Sequence, residues 1–307
     1  LCLAGGVALN CVANGKILNQ KIFDNIWIQP AAGDAGGSLG AALALWYIEQ
    51  GNKREVSQED DMKGSYLGSE FSQDEIEKEL NSIGANYQTF VYEDLINKTS
   101  EYLSKQKAIG WFQGRMEFGP RALGGRSILG DPRSEKMQKN LNLKVKYRES
   151  FRPFAPSIIR EHVSEWFEHE NDSPYMLFVA NIKEDKRIKM TSEEEVLFGI
   201  EKLNVSRSSV PAITHVDYSA RIQTVHKDTN PLYHAVISKF YEKTGCPIVV
   251  NTSFNVRGEP IICTPTDAFK CFMGTDLDIL VVGNYFLRKK DQSKELKNNY
   301  IDNYELD

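Results

Sequence analysis

The sequence has no apolar run long enough to cross a bilayer, and it has no basic N-terminal region that leads into an apolar one. A membrane-spanning helix needs about 18 or more largely apolar residues in succession, and none of the 307 residues belongs to such a run. The sequence therefore predicts neither a membrane span nor a signal peptide. We expect a cytoplasmic protein with no membrane partner.

Cysteine is scarce and lacks the spacing of a metal site. Five cysteines form an odd set without a C-x-x-C pair, so we predict reduced core thiols and no zinc site. They are Cys2, Cys11, Cys246, Cys263 and Cys271.

The chain also lacks a strong excess of charge of either sign. Its 42 acidic and 37 basic residues give a formal net charge of -5. This balance disfavours a general nucleic-acid binder and leaves local basic clusters as the informative feature. The length allows two domains with cores of their own, and a hydrophobic content of 41% is typical of globular proteins.

The most distinctive stretch covers residues 109–154. An apolar run, 108–112, predicts a buried strand that ends in a loop rich in glycine, with Arg115, Arg121 and Arg126 between the glycines. Guanidinium groups match phosphate or carboxylate oxygens two at a time, so this loop predicts an anionic ligand. A solvated basic loop with structural ion pairs is the alternative. We interpret Glu117, in the same loop, as a residue that orients an arginine.

A second basic group follows a predicted helix. Asp131 and Pro132 are typical of a helix start, and the helix end and the turn after it carry further cations. These are Lys144, Lys146, Arg148 and Arg152. The helix dipole alone would favour basic residues at this end, which accounts for Lys144 better than for the others.

Strands and helices alternate along the chain, which predicts an α/β fold with an open twisted sheet. Predicted strands lie at 1–4, 25–29, 87–91, 108–112, 154–160, 175–182, 212–217, 221–225, 247–251, 277–282 and 285–288. Predicted helices lie at 10–20, 38–50, 72–84, 94–105, 132–144, 161–170 and 231–244, with another starting at 264. We interpret 51–64 as a linker and 183–209 as a charged, irregular surface insertion.

Two glycine-rich turns lie near the N-terminus. Gly5 and Gly6, followed by Asn10 and a helix, predict a phosphate-binding turn, although a plain tight turn is the alternative. Asp34 lies in the loop 30–37, before a helix that we expect to pack on the sheet. A helix cap or a turn is the other interpretation of Asp34. The expected packing face comprises Leu39, Leu43, Trp46 and Tyr47.

Two further groups of polar residues follow predicted strands. His215 suits a general base with Asp217 as its orienter, and Arg221 should lie nearby on a paired strand; a purely structural pairing is the alternative. Ser253 and Asn255 lie in the loop after strand 247–251. Loops at strand ends are where α/β sheets place ligands.

These motifs resemble those of a known family. The motifs are GRMEFGPRALGGRSILGDPR, the K-x-R of Lys146 and Arg148, the RPFAP that follows, and the Asn-Thr-Ser-Phe-Asn that ends at Asn255. Together they resemble the C-terminal half of the NodU-type O-carbamoyltransferases, a half that is similar to the YrdC domain. GGVALN and PAAGDAGG resemble the last nucleotide and metal motifs of the family's actin/Hsp70-like domain.

The resemblance implies a YrdC-like open twisted mixed sheet with helices, preceded by the C-terminal piece of an actin/Hsp70-like domain. The expected divisions are 1–55 for that piece, 56–65 for a linker, 66–290 for the YrdC-like domain and 291–307 for a polar tail. Because the chain begins with a strand that enters a loop at once, we expect a fragment whose N-terminal half is absent. We expect the tail to be frayed or to pack on that absent half.

The resemblance also implies an activity, an ATP-dependent O-carbamoyl transfer. Carbamoyl phosphate and ATP would give carbamoyl-adenylate, and the carbamoyl group would pass to a hydroxyl of a small, often sugar-containing acceptor. The implied phosphate-holding residues are Arg121, Lys146, Arg152 and Arg221, with His215 as a catalytic candidate. The implied substrate- and nucleotide-binding residues are Arg115, Arg126, Arg148, Ser253, Asn255, Gly5, Gly6 and Asn10. Asp34 would ligate a divalent iron, manganese or magnesium ion whose histidine ligands lie outside this chain.

Two other functions stay open at this point. One is a threonylcarbamoyl-adenylate type factor for tRNA modification, which the extended arginine loop disfavours. The other is an RNA-binding module, which the acidic total disfavours. A homodimer is compatible with the sequence.

Overall fold

A mixed sheet flanked by helices dominates the computed structural model. The structure describes residues 1–57, 59–203, 205–297, Tyr300 and Tyr304, but not the side chains of residues 200 and 203. The strands are β1 (Cys2–Leu3), β2 (Trp27–Ile28), β3 (Gln88–Thr89), β4 (Ile109–Phe112), β5 (Arg126–Gly130), β6 (Ala155–Ile159), β7 (Phe178–Asn181), β8 (Ser219–Val225), β9 (Ile248–Ser253), β10 (Ile279–Val282) and β11 (Tyr285–Arg288). In the described part of the chain, nine of them form one sheet in the order β3-β11-β10-β4-β5-β9-β6-β8-β7. The predicted α/β class with an open mixed sheet is confirmed.

Helices cover the sheet. They are α1 (Cys11–Asn19), α2 (Asp34–Ala44), α3 (Gln73–Ser82), α4 (Tyr92–Ser104), α5 (Met137–Lys144), α6 (Val163–Trp166), α7 (Ser192–Glu195), α8 (Gly199–Leu203), α9 (Pro231–Thr244) and α10 (Pro265–Gly274). Short 3-10 turns lie at Gly6–Leu9, Lys63–Ser65, Arg160–His162, Glu184–Lys186, Pro211–Ile213, Lys289–Asp291 and Lys294–Leu296, and α2 continues as a π-helical turn, Leu45–Glu49. No helix among the described residues is long and apolar enough to span a membrane.

The centre of the sheet is apolar on both faces. β4, β5, β6 and β10 are buried along their whole length. β4 pairs in parallel with β10, and β6 pairs in parallel with β8, while the other neighbours are antiparallel. Strands buried on both faces read as continuous apolar runs, which is why 108–112 and 277–282 were recognisable in the sequence. α4 packs against α9, and α10 packs against α3, β4 and β10.

The first 49 residues, called here the N-terminal segment, dock on the edge of this sheet. β1 and β2 form a separate parallel pair, and α1 packs against β7. The buried Asn14 side chain donates to the carbonyls of Ala8, at 2.8 Å, and Leu177, at 3.1 Å. A second apolar cluster, which includes Ala8, Ile28 and Leu177, fills the space between segment and sheet.

Local signals predicted several elements correctly. Ser72 and Glu75 form the expected capping box at the start of α3, because each satisfies a backbone or side-chain donor of the other. The predicted helix 231–244 matches α9, and the predicted strand 285–288 matches β11. α10 begins after Thr264 in a second capping box.

Other predicted elements were wrong. The arginine-rich stretch contains a strand, β5, that was predicted as loop. α5 begins at Met137 instead of Pro132, because the Asp131 carboxylate binds the Arg133 guanidinium and the Arg133 backbone N–H. The predicted helix 161–170 is reduced to a 3-10 turn followed by the four residues of α6. The predicted strand 212–217 is a 3-10 turn and a loop, so β8 pairs with β6 and β7 instead.

α2 also differs from its prediction. It begins at Asp34, which therefore lies in the first helical turn and not in a preceding loop. Leu43 and Trp46 are 46% and 53% exposed, so the predicted packing face does not lie on the sheet. Only Leu39 of that face packs against the second apolar cluster.

The predicted linker and tail contain packed residues. Met62 and Ser65 are buried, and the Asp60 carboxylate accepts a hydrogen bond of 2.6 Å from the Tyr175 hydroxyl. Tyr300 is 5% exposed in the main core, so the tail is not simply frayed. Residues 298–299, 301–303 and 305–307 of the predicted tail lie outside the described residues, and the domain divisions at 55, 65 and 290 stay predictions.

Docking of the N-terminal segment gives the first testable prediction, through the glycine that follows Asn14. A Cβ at Gly15 would lie 2.6 Å from the Val179 carbonyl oxygen on β7. We expect Gly15→Ala to lower the free energy of unfolding by about 1–3 kcal/mol, because the helix must shift away from the sheet. Chemical denaturation measures this change.

Gly40→Ala in α2 is the matched control, since a Cβ there meets no atom within 4 Å. It should leave stability unchanged or raise it by up to about 1 kcal/mol, the ordinary gain of alanine over glycine in a helix. Equal stability of the Gly15 variant and the wild type would mean that α1 does not pack on β7 as described.

Candidate functional site

Glu117 holds the arginine loop, defined as residues 113–125, in its folded shape. Its buried carboxylate accepts hydrogen bonds from the backbone N–H groups of Leu123, at 2.6 Å, and Gly125, at 2.7 Å. Buried backbone donors need such partners. Glu117 therefore positions the loop backbone, which is a wider role than the predicted orientation of one arginine.

Arg126 is a structural residue. Its side chain is fully buried, its guanidinium carbon lies 3.5 Å from the centroid of the Phe112 ring, and it donates to four backbone carbonyls. The acceptors are Gln113, Gly114, Gly125 and Ser69, at 3.0 to 3.1 Å. Burial lowers the pKa of Arg126 to about 10. Both terminal nitrogens of Arg126 thus serve the fold, although its buried Nε has no hydrogen-bond partner among the described residues. The ligand-binding role of Arg126 stays a prediction.

Arg121 has the opposite character. It lies in the same loop and makes one long hydrogen bond, 3.5 Å, to the Leu9 carbonyl of the N-terminal segment, while its buried Nε has no partner among the described residues. Burial lowers its pKa. A partly desolvated guanidinium with unused donors is suited to bind an anion.

Arg221, on β8, is similar. Its Nε is also buried and without a hydrogen-bond partner in the described part of the chain. Burial lowers the pKa of Arg221 to about 10, and repulsion from Arg121 is the next cause. The adjacent Cys11 side chain raises the pKa of Arg221. Arg121 and Arg221 therefore face each other beneath residues 9–11 of the N-terminal segment.

Lys146 is the most deeply buried cation of the group. Its side chain is 3% exposed, and its Nζ lies among four uncharged oxygens of Ser253 and Asn255. It donates to the Ser253 carbonyl, the Ser253 hydroxyl (3.2 Å), the Asn255 carbonyl (2.9 Å) and the Asn255 Oδ1 (2.7 Å). Burial first, and Arg148 second, lower the pKa of Lys146 to about 7. The structure thus brings the predicted K-x-R and S-x-N residues together.

Arg148 and Arg152 extend the cationic group outward. Arg148 donates to the Asn142 side chain at 2.7 Å and lies over the Phe154 ring, and burial followed by repulsion from Arg152 lowers its pKa to about 10. Arg152 is about half exposed and pairs with Glu149 at 3.0 Å. Arg152 therefore lies at the rim of the group, outside Arg148.

The charges form one continuous set. Electrostatic interaction links Arg121 to Arg221, Arg221 to Arg148, and Arg148 to Lys146. Among the described residues, no carboxylate lies within ion-pair distance of these four side chains, although seventeen other ion pairs occur in the same part of the chain. Buried cations are normally paired, so this group indicates a site for a multiply charged anion.

His215 does not join the group. Its ring is 43% exposed, and its Nδ1 lies 4.0 Å from the Asp217 Oδ1. That oxygen instead accepts from the Ser219 backbone and hydroxyl and stabilises the turn before β8. No hydrogen bond or ion pair of the described residues connects His215 to Lys146 or Arg221, so its predicted catalytic role has no geometric support.

The predicted nucleotide and metal residues of the N-terminal segment share one edge. Gly5, Gly6, Asn10 and Asp34 follow the parallel strands β1 and β2, and all four are exposed. The Asn10 side chain caps α1 by accepting from the Ala13 N–H at 3.1 Å. No group of three or more potential metal-ligating side chains occurs among the described residues, so these residues alone do not fit a metal centre, and the ligand role of Asp34 stays a prediction.

Arg115 lies apart from the buried cations. It is about half exposed, pairs with Glu70 at 3.3 Å and donates to the Gly68 carbonyl at 3.2 Å. The ion pair fits the alternative of a solvated basic loop for this one arginine.

Sequence reasoning missed residues that support the site from a distance in the chain. The Glu259 carbonyl accepts from the Asn255 side chain, the Tyr300 hydroxyl donates to the Glu259 carboxylate, and the hydroxyl of Tyr147, the variable residue of the K-x-R motif, donates to the Gly274 carbonyl. No local pattern marks them, because their importance arises only from tertiary contact. The prediction of five core thiols is confirmed for Cys246 and Cys271 and wrong for Cys2 and Cys263, which are exposed, while the partly buried Cys11 lies next to Arg221.

Comparison with known proteins gives consistent matches. Residues 100–289 match the family model described as "Carbamoyltransferase C-terminus", and residues 1–43 match "Carbamoyltransferase N-terminus". The chain is 57% identical to an uncharacterized protein of Synechocystis sp., over 100% of this chain and 50% of the relative. It is 44% identical to the nodulation protein NolO of Bradyrhizobium diazoefficiens, over 95% of this chain and 50% of the relative.

A more distant relative carries an activity in its name. The 3'-hydroxymethylcephem-O-carbamoyltransferase of Streptomyces clavuligerus is 29% identical over 94% of this chain and 49% of the relative. The chain thus spans about half the length of these curated relatives. The chain also resembles a crystal structure of full-length HypF, with 15% identity and a TM-score of 0.40 over 67% of this chain and 22% of the HypF chain.

The two buried loop arginines give a contrasting prediction. Arg121→Ala should weaken sulfate binding by about one to two decades, because a charge-assisted contact is worth roughly 1.5–3 kcal/mol, and it should leave the fold intact. Arg126→Lys should lower the free energy of unfolding by about 2–4 kcal/mol, since it removes several buried carbonyl contacts. Calorimetric titration with sulfate and chemical denaturation measure the two effects. Weaker sulfate binding by the Arg126 variant at unchanged stability would reverse the two assignments.

Lys146 gives a prediction about protons. Its pKa of about 7 means that it is largely uncharged at about pH 8, and an adjacent dianion favours its charged form. When sulfate binds near pH 8, the protein should therefore take up a fraction of a proton from the buffer. Calorimetry in buffers of different ionisation enthalpy measures this uptake, because the observed binding enthalpy then changes with the buffer. Lys146→Met should abolish the uptake. Sulfate has no titrating group of its own in this range, so the absence of proton uptake by the wild type would show that Lys146 does not contact the anion.

Proposed function

Because the chain belongs to the carbamoyltransferase family, we propose that its buried cations bind carbamoyl phosphate and ATP and promote formation of carbamoyl-adenylate. In the complete protein, the carbamoyl group then passes to a hydroxyl of a small acceptor. The name of the cephem O-carbamoyltransferase supports a hydroxyl as the acceptor. Because the chain spans about half of its relatives, the transfer step needs residues beyond those described here.

One observation carries the proposal. Arg121, Lys146, Arg148 and Arg221 are partly or fully buried and lie next to one another without a carboxylate at ion-pair distance among the described residues. Burying like charges together is unfavourable unless an anion completes the site. Carbamoyl phosphate and ATP are both polyanions, and each can satisfy several guanidinium donors at once.

The chemistry needs charge neutralisation more than covalent participation. Water first takes the phosphoryl group of carbamoyl phosphate, which releases inorganic phosphate and leaves carbamate. A carbamate oxygen then forms a bond to the α-phosphorus of ATP while the bond between that phosphorus and the oxygen of the β-phosphate breaks, and pyrophosphate leaves. Negative charge has to be balanced on the entering carbamate, on the phosphorus centre and on the departing pyrophosphate, which fixed cations do without reorganisation. Lys146, held by Ser253 and Asn255, is positioned to contribute one such charge.

The buried position of the cations also argues against the alternatives. An RNA-binding module would present its basic residues on an open surface, whereas Arg121 and Arg221 lie beneath the N-terminal segment. Both matched family models belong to carbamoyltransferases, which favours carbamoyl transfer over a tRNA-modification factor. A divalent metal stays part of the proposal for the complete protein only, with Asp34 as one ligand.

The proposal is tested by pyrophosphate release. The chain should release pyrophosphate from ATP in a reaction that depends on carbamoyl phosphate, and Lys146→Ala should reduce the rate by about two decades or more, as expected for loss of a charge that stabilises the transition state. Lys139→Ala is the matched control, because Lys139 is an exposed lysine of α5 and should leave the rate unchanged.

Two results would count against the proposal. One is release that needs a hydroxyl acceptor and not carbamoyl phosphate, because it would place adenylate formation in another site. The other is release that is equally fast in Lys146→Ala and the wild type.

A further inference from the structure

Glu259 lies at the centre of contacts that the proposed chemistry does not use. Its side chain is 8% exposed, and its Oε2 accepts from the Val256 N–H at 2.8 Å. Its backbone carbonyl accepts from the Asn255 side chain at 2.6 Å. The Asn255 Oδ1 in turn accepts from Lys146 and from the Ser253 hydroxyl, each at 2.7 Å. Glu259 therefore fixes the shape of the loop that surrounds the lysine.

Two tyrosines of the C-terminal region satisfy the remaining carboxylate oxygen. The Tyr300 hydroxyl donates to Glu259 Oε1, and the Tyr304 hydroxyl lies 3.2 Å from the same oxygen and 3.3 Å from the Tyr300 hydroxyl. The two rings pack edge to face with centroids 5.4 Å apart. A region expected from its composition to be polar and frayed thus places two phenols against a buried carboxylate.

The same tyrosine also reaches the Lys146 side of the site. A Cβ at Gly274, the last residue of α10, would lie 2.1 Å from the Tyr300 Cβ, so only glycine allows this approach. The Gly274 carbonyl accepts a 2.9 Å hydrogen bond from the Tyr147 hydroxyl. Tyr147 stands between Lys146 and Arg148 with a φ of 50°, a conformation that tyrosine rarely adopts. Tyr300 therefore packs on Gly274, the residue that holds Tyr147 in this strained conformation.

We propose that Tyr300 and Glu259 are positioning residues for the anion site. They connect the C-terminal region to Lys146 in two ways, through the loop that contains Asn255 and through the contact between Gly274 and Tyr147. This inference rests on the proposed function only for its effect on the reaction rate. Its effect on anion binding is independent of the reaction.

Electrostatics gives the proposal a distinctive signature. Burial raises the pKa of Glu259, and its hydrogen bond from Tyr300 counteracts this rise. The groups that face Lys146 are Arg148, Cys271 and Glu259, of which Glu259 and Cys271 favour the charged lysine. Removal of the Tyr300 hydroxyl raises the pKa of Glu259 further and removes the contact that holds its carboxylate in place, so the charged lysine loses part of the support that Glu259 gives it and the pKa of Lys146 falls. A cation whose pKa falls loses its charge at a lower pH.

The test uses Tyr300→Phe, which removes one oxygen and keeps the ring. Binding of sulfate to the full chain should weaken by roughly threefold to tenfold near neutral pH, and the pH at which proton uptake is maximal should move downward. The alkaline limb of kcat/KM for carbamoyl phosphate-dependent pyrophosphate release should move in the same direction. Glu259→Gln should give a similar or larger shift.

Two further variants separate positioning from a loss of stability. Gly274→Ala displaces Tyr300 while it keeps every polar group, and it should reproduce the shift. Tyr285→Phe is the matched control, because that buried tyrosine donates at 3.3 Å to the Gln73 carbonyl and makes no hydrogen bond to Glu259 or Asn255 among the described residues. It should lose stability without moving either pH profile. The double variant Tyr300→Phe with Glu259→Gln should be no worse than Glu259→Gln alone, since the two residues act in series.

The outcomes distinguish this inference from the proposed function. Sulfate profiles that are unchanged in Tyr300→Phe, Glu259→Gln and Gly274→Ala would overturn the inference, as would weaker binding with an unmoved pH profile, which indicates a structural role only. Shifted sulfate profiles in a chain that releases no pyrophosphate would uphold the inference and count against the proposed function.

Discussion

The structure depends on the cost of burying cations that have no carboxylate partner. Lowering the pKa of Lys146 from 10.5 to about 7 corresponds to an unfavourable term on the order of 4 kcal/mol at neutral pH. Four uncharged oxygens from Ser253 and Asn255 do not offset it. Each charge-assisted contact to a bound anion contributes about 1.5–3 kcal/mol, so two or three such contacts are enough to reverse the penalty. The site is thus built to be stable when an anion is present.

The rest of the fold supplies the rigidity that holds these cations together. Arg121 and Arg126 are five positions apart, yet the terminal nitrogens of Arg126 donate to four backbone carbonyls, whereas Arg121 makes one long hydrogen bond. Glu117 explains the difference, because its carboxylate fixes the loop backbone at Leu123 and Gly125. Because Glu117 fixes the loop backbone, the Arg121 side chain lies close to Arg221. An arginine that holds the loop and an arginine with unused donors are therefore parts of the same arrangement.

The sequence predicted the parts of this arrangement that have local causes. α9 and the capping box at Ser72 follow from residues a few positions apart, and the central strands follow from continuous apolar runs. The meeting of Lys146 with Ser253 and Asn255 was expected from the motifs that the chain shares with a known family, and composition alone would not have predicted it. β5 was missed because Gly124 and Gly125, which precede it, and the charged Arg126 resemble a loop, although Arg126 is buried there by tertiary contact. The role of Tyr300 depends on Glu259 and Gly274, which are 41 and 26 positions away in the numbered sequence, so no window of sequence contains the signal.

Anion binding and docking of the N-terminal segment are linked for the same physical reason. Arg121 donates to the Leu9 carbonyl, and Cys11, the first residue of α1, lies next to Arg221. The N-terminal end of α1 carries a partial positive charge, which adds to the repulsion that the two arginines exert on each other. An anion that neutralises the arginines removes this repulsion on both sides of the contact. An anion that binds more tightly when the N-terminal segment is docked stabilises the docked state by the difference in binding free energy. Docking of the N-terminal segment in turn strengthens anion binding by the same amount.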